Sequence, residues 1–193
     1  MSATNRGTKR IESDFYPTPL KSFIPLLKFL PKLSFIWEPA CGDGRLVKEL
    51  LNHGFRSEGN DLSYGYDFLK DRSRRECIVT NPPFSIAKEF IVHALTHCNE
   101  VYMLLRLNFL GSQERKGFWI ENEPKALFVL SERPNFVRSL KCTKCNYREL
   151  IPIEQAYSIV CPICHSRVKS GSSDSCEYAW FYWGYYWRGI YHI

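Results

Sequence analysis

The chain has 193 residues, 45% hydrophobic and 24% charged, with a net charge of +6. That composition supplies a core for one domain with at most a small appendage, and excludes a disordered or fibrous chain. No run approaches the roughly 20 apolar residues of a membrane span, and the polar start MSATNRGTKRIESD has no apolar stretch behind it to act as a secretory signal. The reading is a cytosolic protein whose eight cysteines point to a metal site rather than disulfides, and whose basic excess leans toward a polyanionic partner.

Residues 1 to 13 are polar and predict a loose arm. In DFYPTPLKSFIPLLKFLP, the spacing of Phe23, Leu26, Leu27 and Leu30 predicts an amphipathic helix. Ser34 to Glu38 predicts a short buried strand, followed by the turn PACGDG and a helix over RLVKELLNHG that Gly54 caps. Arg56 to Asp61 and Glu76 to Thr80 predict two more strands, the second running straight into Asn81-Pro82-Pro83-Phe84. Ile86 to Leu95 is helical in pattern, and Val101 to Leu107, Ala126 to Leu130 and Tyr178 to Trp183 predict further strands. The aromatic-rich end CEYAWFYWGYYWRGIYHI predicts a buried strand and its packing. Strands alternating with helices predict an α/β fold with a parallel sheet covered on both faces. That rhythm stops between Pro134 and Ser175, which predicts an inserted module within a core of residues 1–133 and 176–193.

The turn Glu38-Pro39-Ala40-Cys41-Gly42-Asp43-Gly44 joins a strand to a helix N-terminus, where glycines let backbone approach a ligand. Asp61 closes the next strand, where a ribose diol is normally held. Val47 stands where a third glycine would complete a dinucleotide fingerprint, which disfavours a dinucleotide cofactor.

These motifs, in this order, resemble those of class I S-adenosylmethionine-dependent methyltransferases, in the form used by gamma-type DNA adenine-N6 methyltransferases. DFYPTP is similar to that family's N-terminal cofactor motif, EPACGDG to its glycine motif and NPPF to its catalytic motif; LLRLNFLGSQERKGFW and YAWFYW are similar to small phage-encoded members. The resemblance implies a Rossmann-like methyltransferase fold. It places Tyr16, Thr18, Glu38, Gly42 and Gly44 around the methionine end of the cofactor, Asp61 at its ribose, and Asp67 and Phe68 at its adenine. It also implies that Asn81 and the carbonyl of Pro82 accept hydrogen bonds from a substrate amino group, that Pro83 stiffens the loop, and that Phe84 stacks on a flipped base.

Cys142-x-x-Cys145 and Cys161-x-x-Cys164 have the double spacing of a zinc ribbon, with four thiolates for one Zn²⁺ and His165 as a substitute ligand. Cys41, Cys77, Cys98 and Cys176 read as unpaired core or loop residues. The 134–175 insert holds six Lys or Arg against three acids. Lys141, Lys144 and Arg148 are therefore candidates for touching nucleic acid, and a purely structural ribbon is the alternative. The functional expectation is methylation of adenine N6 in DNA. The alternatives are adenine N6 in RNA, a protein glutamine, and a binding module with a decayed catalytic core. Oligomeric state is not legible.

Overall fold

The computed structural model describes residues 16–153, 158–172 and 176–193. The arm read over residues 1 to 13, and the Asp and Phe that open DFYPTP, lie outside the described residues. The chain separates into two compact units, one over Pro17–Pro134 and Ser175–Ile193, the other containing Tyr16 and the stretch from Asn135.

The larger unit opens on the apolar run predicted as one amphipathic helix. It forms a single α-helical turn, α1 (Leu20–Phe23), that tightens into a 3₁₀ helix over Ile24–Phe29. Pro25 stands at the start of the second piece, where a proline has no N–H to give to a continuing α-helix. The four residues that suggested the helix, Phe23, Leu26, Leu27 and Leu30, are all buried, so the apolar face is real although the helix type differs.

A seven-stranded sheet follows. Its strands are β1 (Phe35–Glu38), β2 (Arg56–Gly59), β3 (Arg75–Thr80), β4 (Cys98–Arg106), β5 (Ala126–Val129), β9 (Tyr178–Trp183) and β10 (Gly189–His192), in the order β10-β5-β9-β4-β3-β1-β2. Helices α2 (Arg45–Asn52), α3 (Ala87–His97) and α4 (Lys116–Glu121) make the crossovers β1 to β2, β3 to β4 and β4 to β5. All pairs are parallel except those of β9, which runs antiparallel to both β4 and β5. The fold is thus the mixed α/β architecture expected, with one reversed strand set into a parallel sheet.

Burial follows from strand position. The central β4 and β9 are near-continuous apolar runs, with Val101 to Leu105 and Tyr178 to Trp183 all buried, as strands covered on both faces must be. The edge strand β2 alternates between exposed and half-buried residues. The aromatic C-terminus forms two strands rather than one. Its second, β10, is a four-residue edge strand that is mostly exposed, and residues 184–188 separate it from β9.

The chain leaves β1 toward β2 on one side and later enters β3 and β4 on the other. The direction of winding therefore reverses between the neighbouring strands β1 and β3, and a crevice at the carboxyl ends of such a pair is where open α/β sheets bind ligands. Trp37 lies opposite Ile78 in the ladder. β1 ends one residue later at Glu38 and β3 two residues later at Thr80, so the glycine turn and NPPF leave one edge of the sheet side by side.

The smaller unit corrects the expectation that strand rhythm stops there. It holds an antiparallel three-stranded sheet in the order β7-β6-β8, from β6 (Val137–Cys142), β7 (Arg148–Pro152) and β8 (Val168–Ser172). The strands escape a periodicity reading because their buried set, Leu140, Cys142, Ile151, Cys161 and Val168, is small and two of its five members are cysteines. Among the described residues, no helix is long and apolar enough to cross a membrane.

Candidate active site and candidate metal centre

The turn after β1 is shaped by two residues that only glycine accommodates without strain. Gly42 has φ 53° and Gly44 φ 75°, and Gly44 caps the N-terminus of α2. The Gly44 N–H donates to the Cys41 carbonyl at 2.8 Å, closing the turn, and the Cys41 N–H donates to the Asn60 carbonyl at 3.0 Å, tying the turn to the end of β2. A third glycine was not singled out from the sequence. A Cβ on Gly59 would stand 2.7 Å from both the Cys41 Cβ and a Val47 methyl, so β2 can meet the turn only where a side chain is absent. A glycine ending a strand is the signal that could have found it.

Asp61 holds this arrangement together. Its Oδ2 accepts from the Gly42 N–H at 2.9 Å, and its Oδ1 from the Ser63 N–H at 2.9 Å and the Ser63 hydroxyl at 2.6 Å. Burial pushes its carboxyl up, but the bonds from Ser63 and Gly42 outweigh burial and hold it below the usual carboxylate range. A carboxylate offers about four acceptor positions, so three internal donors leave capacity for about one more, such as a ligand hydroxyl. Tyr64, also missed from sequence, donates its hydroxyl to the Gly42 carbonyl at 2.7 Å while the residue remains 69% exposed. Its ring thus stands over the glycine turn.

Glu38 is 2% exposed. The Val47 N–H donates to its carboxylate, and its Oε2 meets no hydrogen-bond partner among the described residues. Burial, then the Asp43 charge, pushes this carboxyl well above its ordinary range against the Val47 N–H, and Asp61 adds to the shift. A buried acid with an unused oxygen beside a left-handed glycine turn suits a cationic ligand that supplies the missing donor. A ligand with an ammonium group and a ribose diol would fit these acceptors: Glu38 would face the cation, the glycines leave room for it, and Asp61 could accept from a hydroxyl.

The other positions suggested for the cofactor have the following surroundings. Thr18 is buried, and its carbonyl accepts from Arg45 at 3.5 Å, the same guanidinium that grips Asp43. Tyr16 belongs to the smaller unit, where its ring meets Phe136 edge-on at 6.4 Å. Asp67 caps a 3₁₀ turn by accepting from the Leu69 N–H at 3.1 Å and pairs with Lys70. Phe68 is 3% exposed and packs against Trp37, Phe90 and His93, so its ring is part of the core. Cys41 is buried, and burial, with Glu38 next, pushes its thiol up to about 11, the opposite of an activated nucleophile.

At the end of β3, Asn81 and Phe84 are half-buried, and the Asn81 side-chain oxygen is shielded from solvent. Phe84 is held from behind. The Arg106 guanidinium, at the end of β4, lies 5.2 Å from the centre of the Phe84 ring and donates through Nε to the Tyr178 hydroxyl at 2.8 Å, while the Tyr178 ring lies 6.0 Å from that of Phe84. Arg106 and Tyr178 are opposite one another across β4 and β9, a pairing no local sequence pattern reveals.

In the smaller unit, the Sγ atoms of Cys142, Cys145, Cys161 and Cys164 all lie within 4.8 Å of one another. Cys142 and Cys164 are 3.4 Å apart, and Cys145 and Cys161 3.7 Å. Four sulfurs about 2.3 Å from a tetrahedral Zn²⁺ would be about 3.8 Å apart, so the cluster has the dimensions the metal requires. Backbone N–H groups of Lys144 and Cys145 point at the Cys142 sulfur at 3.3 and 3.4 Å, and that of Ile163 at the Cys161 sulfur at 3.4 Å. The bonds from Lys144 and Cys145 hold the Cys142 thiol below its ordinary value, and those from Ser166 bring Cys164 down to about 6. At Cys145 the bond from Tyr147 is outweighed by burial and the neighbouring thiols, which push that thiol up to about 12, so it is the sulfur geometry that favours a metal. His165, considered as a substitute ligand, is exposed in a left-handed turn with φ 55° and takes no part in the cluster. The candidate cations Lys141, Lys144 and Arg148 are all exposed, while Glu154 and Asp174, two of the insert's three acids, lie outside the described residues.

The raised Glu38 carboxyl gives a directional expectation. The unfolded chain titrates this group at its ordinary value and the folded chain at a higher one. Between the two, the folded state holds the extra proton, so ligand-free stability falls as pH rises through that window. A cation bound beside Glu38 favours the carboxylate. Affinity for S-adenosylmethionine is therefore expected to increase with pH over the same window, with proton release visible by calorimetry in two buffers of different ionisation enthalpy. Glu38→Gln is expected to abolish both the release and the slope; a persisting slope would show that another group titrates.

No family model and no curated protein sequence matches the chain at a significant level. Among solved structures, it is similar to a protein of Pyrococcus horikoshii provisionally described as an RNA methyltransferase, at 11% identity and a TM-score of 0.41, over 84% of this chain and 80% of that one. A likeness this loose constrains neither the fold nor the activity of the present chain.

Proposed function

We propose that the chain is an S-adenosylmethionine-dependent methyltransferase acting on the exocyclic N6 amino group of adenine in DNA, with a structural Zn²⁺ in the four-cysteine cluster. The observation that carries this reading is the juxtaposition of the glycine turn and the Asn-Pro-Pro-Phe loop at the carboxyl ends of adjacent parallel strands, where the winding of the sheet reverses. A cofactor site and an amine-activating loop on one edge are what methyl transfer to a planar amine requires.

Bound at Glu38, Gly42, Gly44 and Asp61, S-adenosylmethionine would supply an electrophilic methyl group. An aromatic amine is a poor nucleophile because its lone pair is delocalised into the ring. The Asn81 side-chain oxygen and the Pro82 carbonyl, accepting from its two hydrogens, would draw the nitrogen toward a tetrahedral shape and localise that lone pair. Pro82 and Pro83 each fix φ, so both acceptors are held in place before the substrate arrives. Phe84, backed by Arg106, would stack on the base once it has left the duplex. No strong base is needed, because the nitrogen becomes acidic as the new bond forms.

DNA is favoured over RNA by the gamma-type motif order and the phage-like flanking segments, and a nucleic acid over protein by the basic ribbon. The test is transfer of labelled methyl groups from the cofactor to DNA, RNA and protein pools, followed by digestion. Label in N6-methyldeoxyadenosine is expected. Label only in ribonucleosides would overturn the DNA assignment and spare the mechanism, whereas label in glutamine would overturn both the base and the role of Phe84.

A further inference from the structure

The register of the smaller sheet brings three cations into one row that sequence spacing does not show. Lys141, in the middle strand β6, lies directly opposite Arg148 in β7 on one side and Lys169 in β8 on the other. All three residues are exposed, and Lys141 alternates with the buried Leu140 and Cys142, so the row occupies the face turned away from the small core and the sulfur cluster. Like charges directly opposite one another destabilise a sheet, and a surface under no other demand would interpose an acid. None is interposed. Among the described residues none of the three forms an ion pair, and Glu149, the neighbouring acid, accepts from the Tyr147 hydroxyl.

We propose that the row Lys169–Lys141–Arg148 is a binding surface for the phosphate backbone of duplex DNA, in which Lys169 is a full member. Strands about 4.8 Å apart set the three charges within about 10 Å on a support braced by the cysteine cluster. A duplex carries one negative charge per roughly 1.7 Å of its axis, a density that can engage all three cations at once. The choice of nucleic acid rests on the function proposed above, while the row itself rests on register alone. Lys144 lies in the turn between β6 and β7, outside the row, so this set differs from the one suggested by charge content.

The experiment is titration of the full-length, zinc-loaded protein with a labelled duplex, by fluorescence anisotropy across a range of salt concentrations. Each cation on a phosphate contributes about 0.9 to the slope of log K against log salt. Lys169→Gln is expected to flatten the slope by about one unit, and Lys141→Gln with Arg148→Gln and Lys169→Gln by nearly three. Lys141→Arg with Lys169→Arg should keep the wild-type slope. Zinc content and circular dichroism identify any variant that fails to fold, and the arginine pair, which keeps the charge, then carries the comparison. Glutamine variants that fold and retain the full slope would overturn the row while leaving the proposed function standing. A wild-type protein that binds poly-glutamate or anionic vesicles as tightly as duplex would overturn the assignment to nucleic acid, and absence of salt-dependent duplex binding would overturn the row together with the DNA reading.

Discussion

Replacing Asn81 with Ala is expected to lower kcat about a hundredfold while leaving affinity for S-adenosylmethionine within about twofold of wild type. One oriented acceptor at a site of developing charge is worth about 3 kcal/mol, which converts to about two decades in rate. The separation of the two effects follows from the sheet. Asn81 leaves the end of β3, whereas the groups read as cofactor-binding, Glu38, Gly42, Gly44 and Asp61, leave the ends of β1 and β2. Asn81→Asp keeps an acceptor at the same place and is expected to lose less than Asn81→Ala. Single-turnover transfer and calorimetric binding on the same preparations decide the matter. Near-normal transfer by Asn81→Ala would mean that the amine is activated elsewhere, and a parallel loss of cofactor affinity would mean that the loop is a structural part of the crevice.

Removing the metal is expected to unfold the smaller unit and spare the larger one. A unit of about 40 residues is at the size where hydrophobic burial alone rarely sustains a fold. This one buries Leu140, Ile151 and Val168 around its cysteines. Structural zinc contributes an apparent 10–16 kcal/mol in comparable small modules, so its loss outweighs what those three side chains supply. One zinc per chain is expected by elemental analysis. Cys142→Ser with Cys161→Ser, or a strong chelator, should release it and erase amide protection in β6, β7 and β8. Protection in β4 and β9 should persist, because those strands are buried in a separate and much larger core. Full protection of the ribbon strands in metal-free protein would show that the cluster is not a zinc site that supports folding.

Much of this was legible locally. The alternation of strand and helix patterns, the double Cys-x-x-Cys spacing and the succession of EPACGDG and NPPF are properties of neighbouring residues. They sufficed for the α/β class, the ribbon and the two loops expected to carry chemistry, because periodicity, turn chemistry and ligand spacing act within a few residues. Helix type was less legible: the spacing of Phe23, Leu26, Leu27 and Leu30 is that of an α-helix, yet the chain tightens to 3₁₀ from Ile24, with Pro25 at the start of that piece unable to give an N–H to a continuing α-helix.

What only the tertiary structure decided concerns residues far apart in the chain. Whether Phe68 faces a ligand or the core depends on Trp37, Phe90 and His93, which surround its ring. That Gly59 is needed at all depends on how closely β2 approaches Cys41 and Val47. Arg106 backs Phe84 because β9 runs antiparallel beside β4 and brings Tyr178 to the same edge, and Lys169 joins Lys141 because β8 pairs with β6 in one register rather than the next. A slip of one residue would turn each of those side chains to the opposite face, and the packing of whole strands, not the local sequence, selects the register.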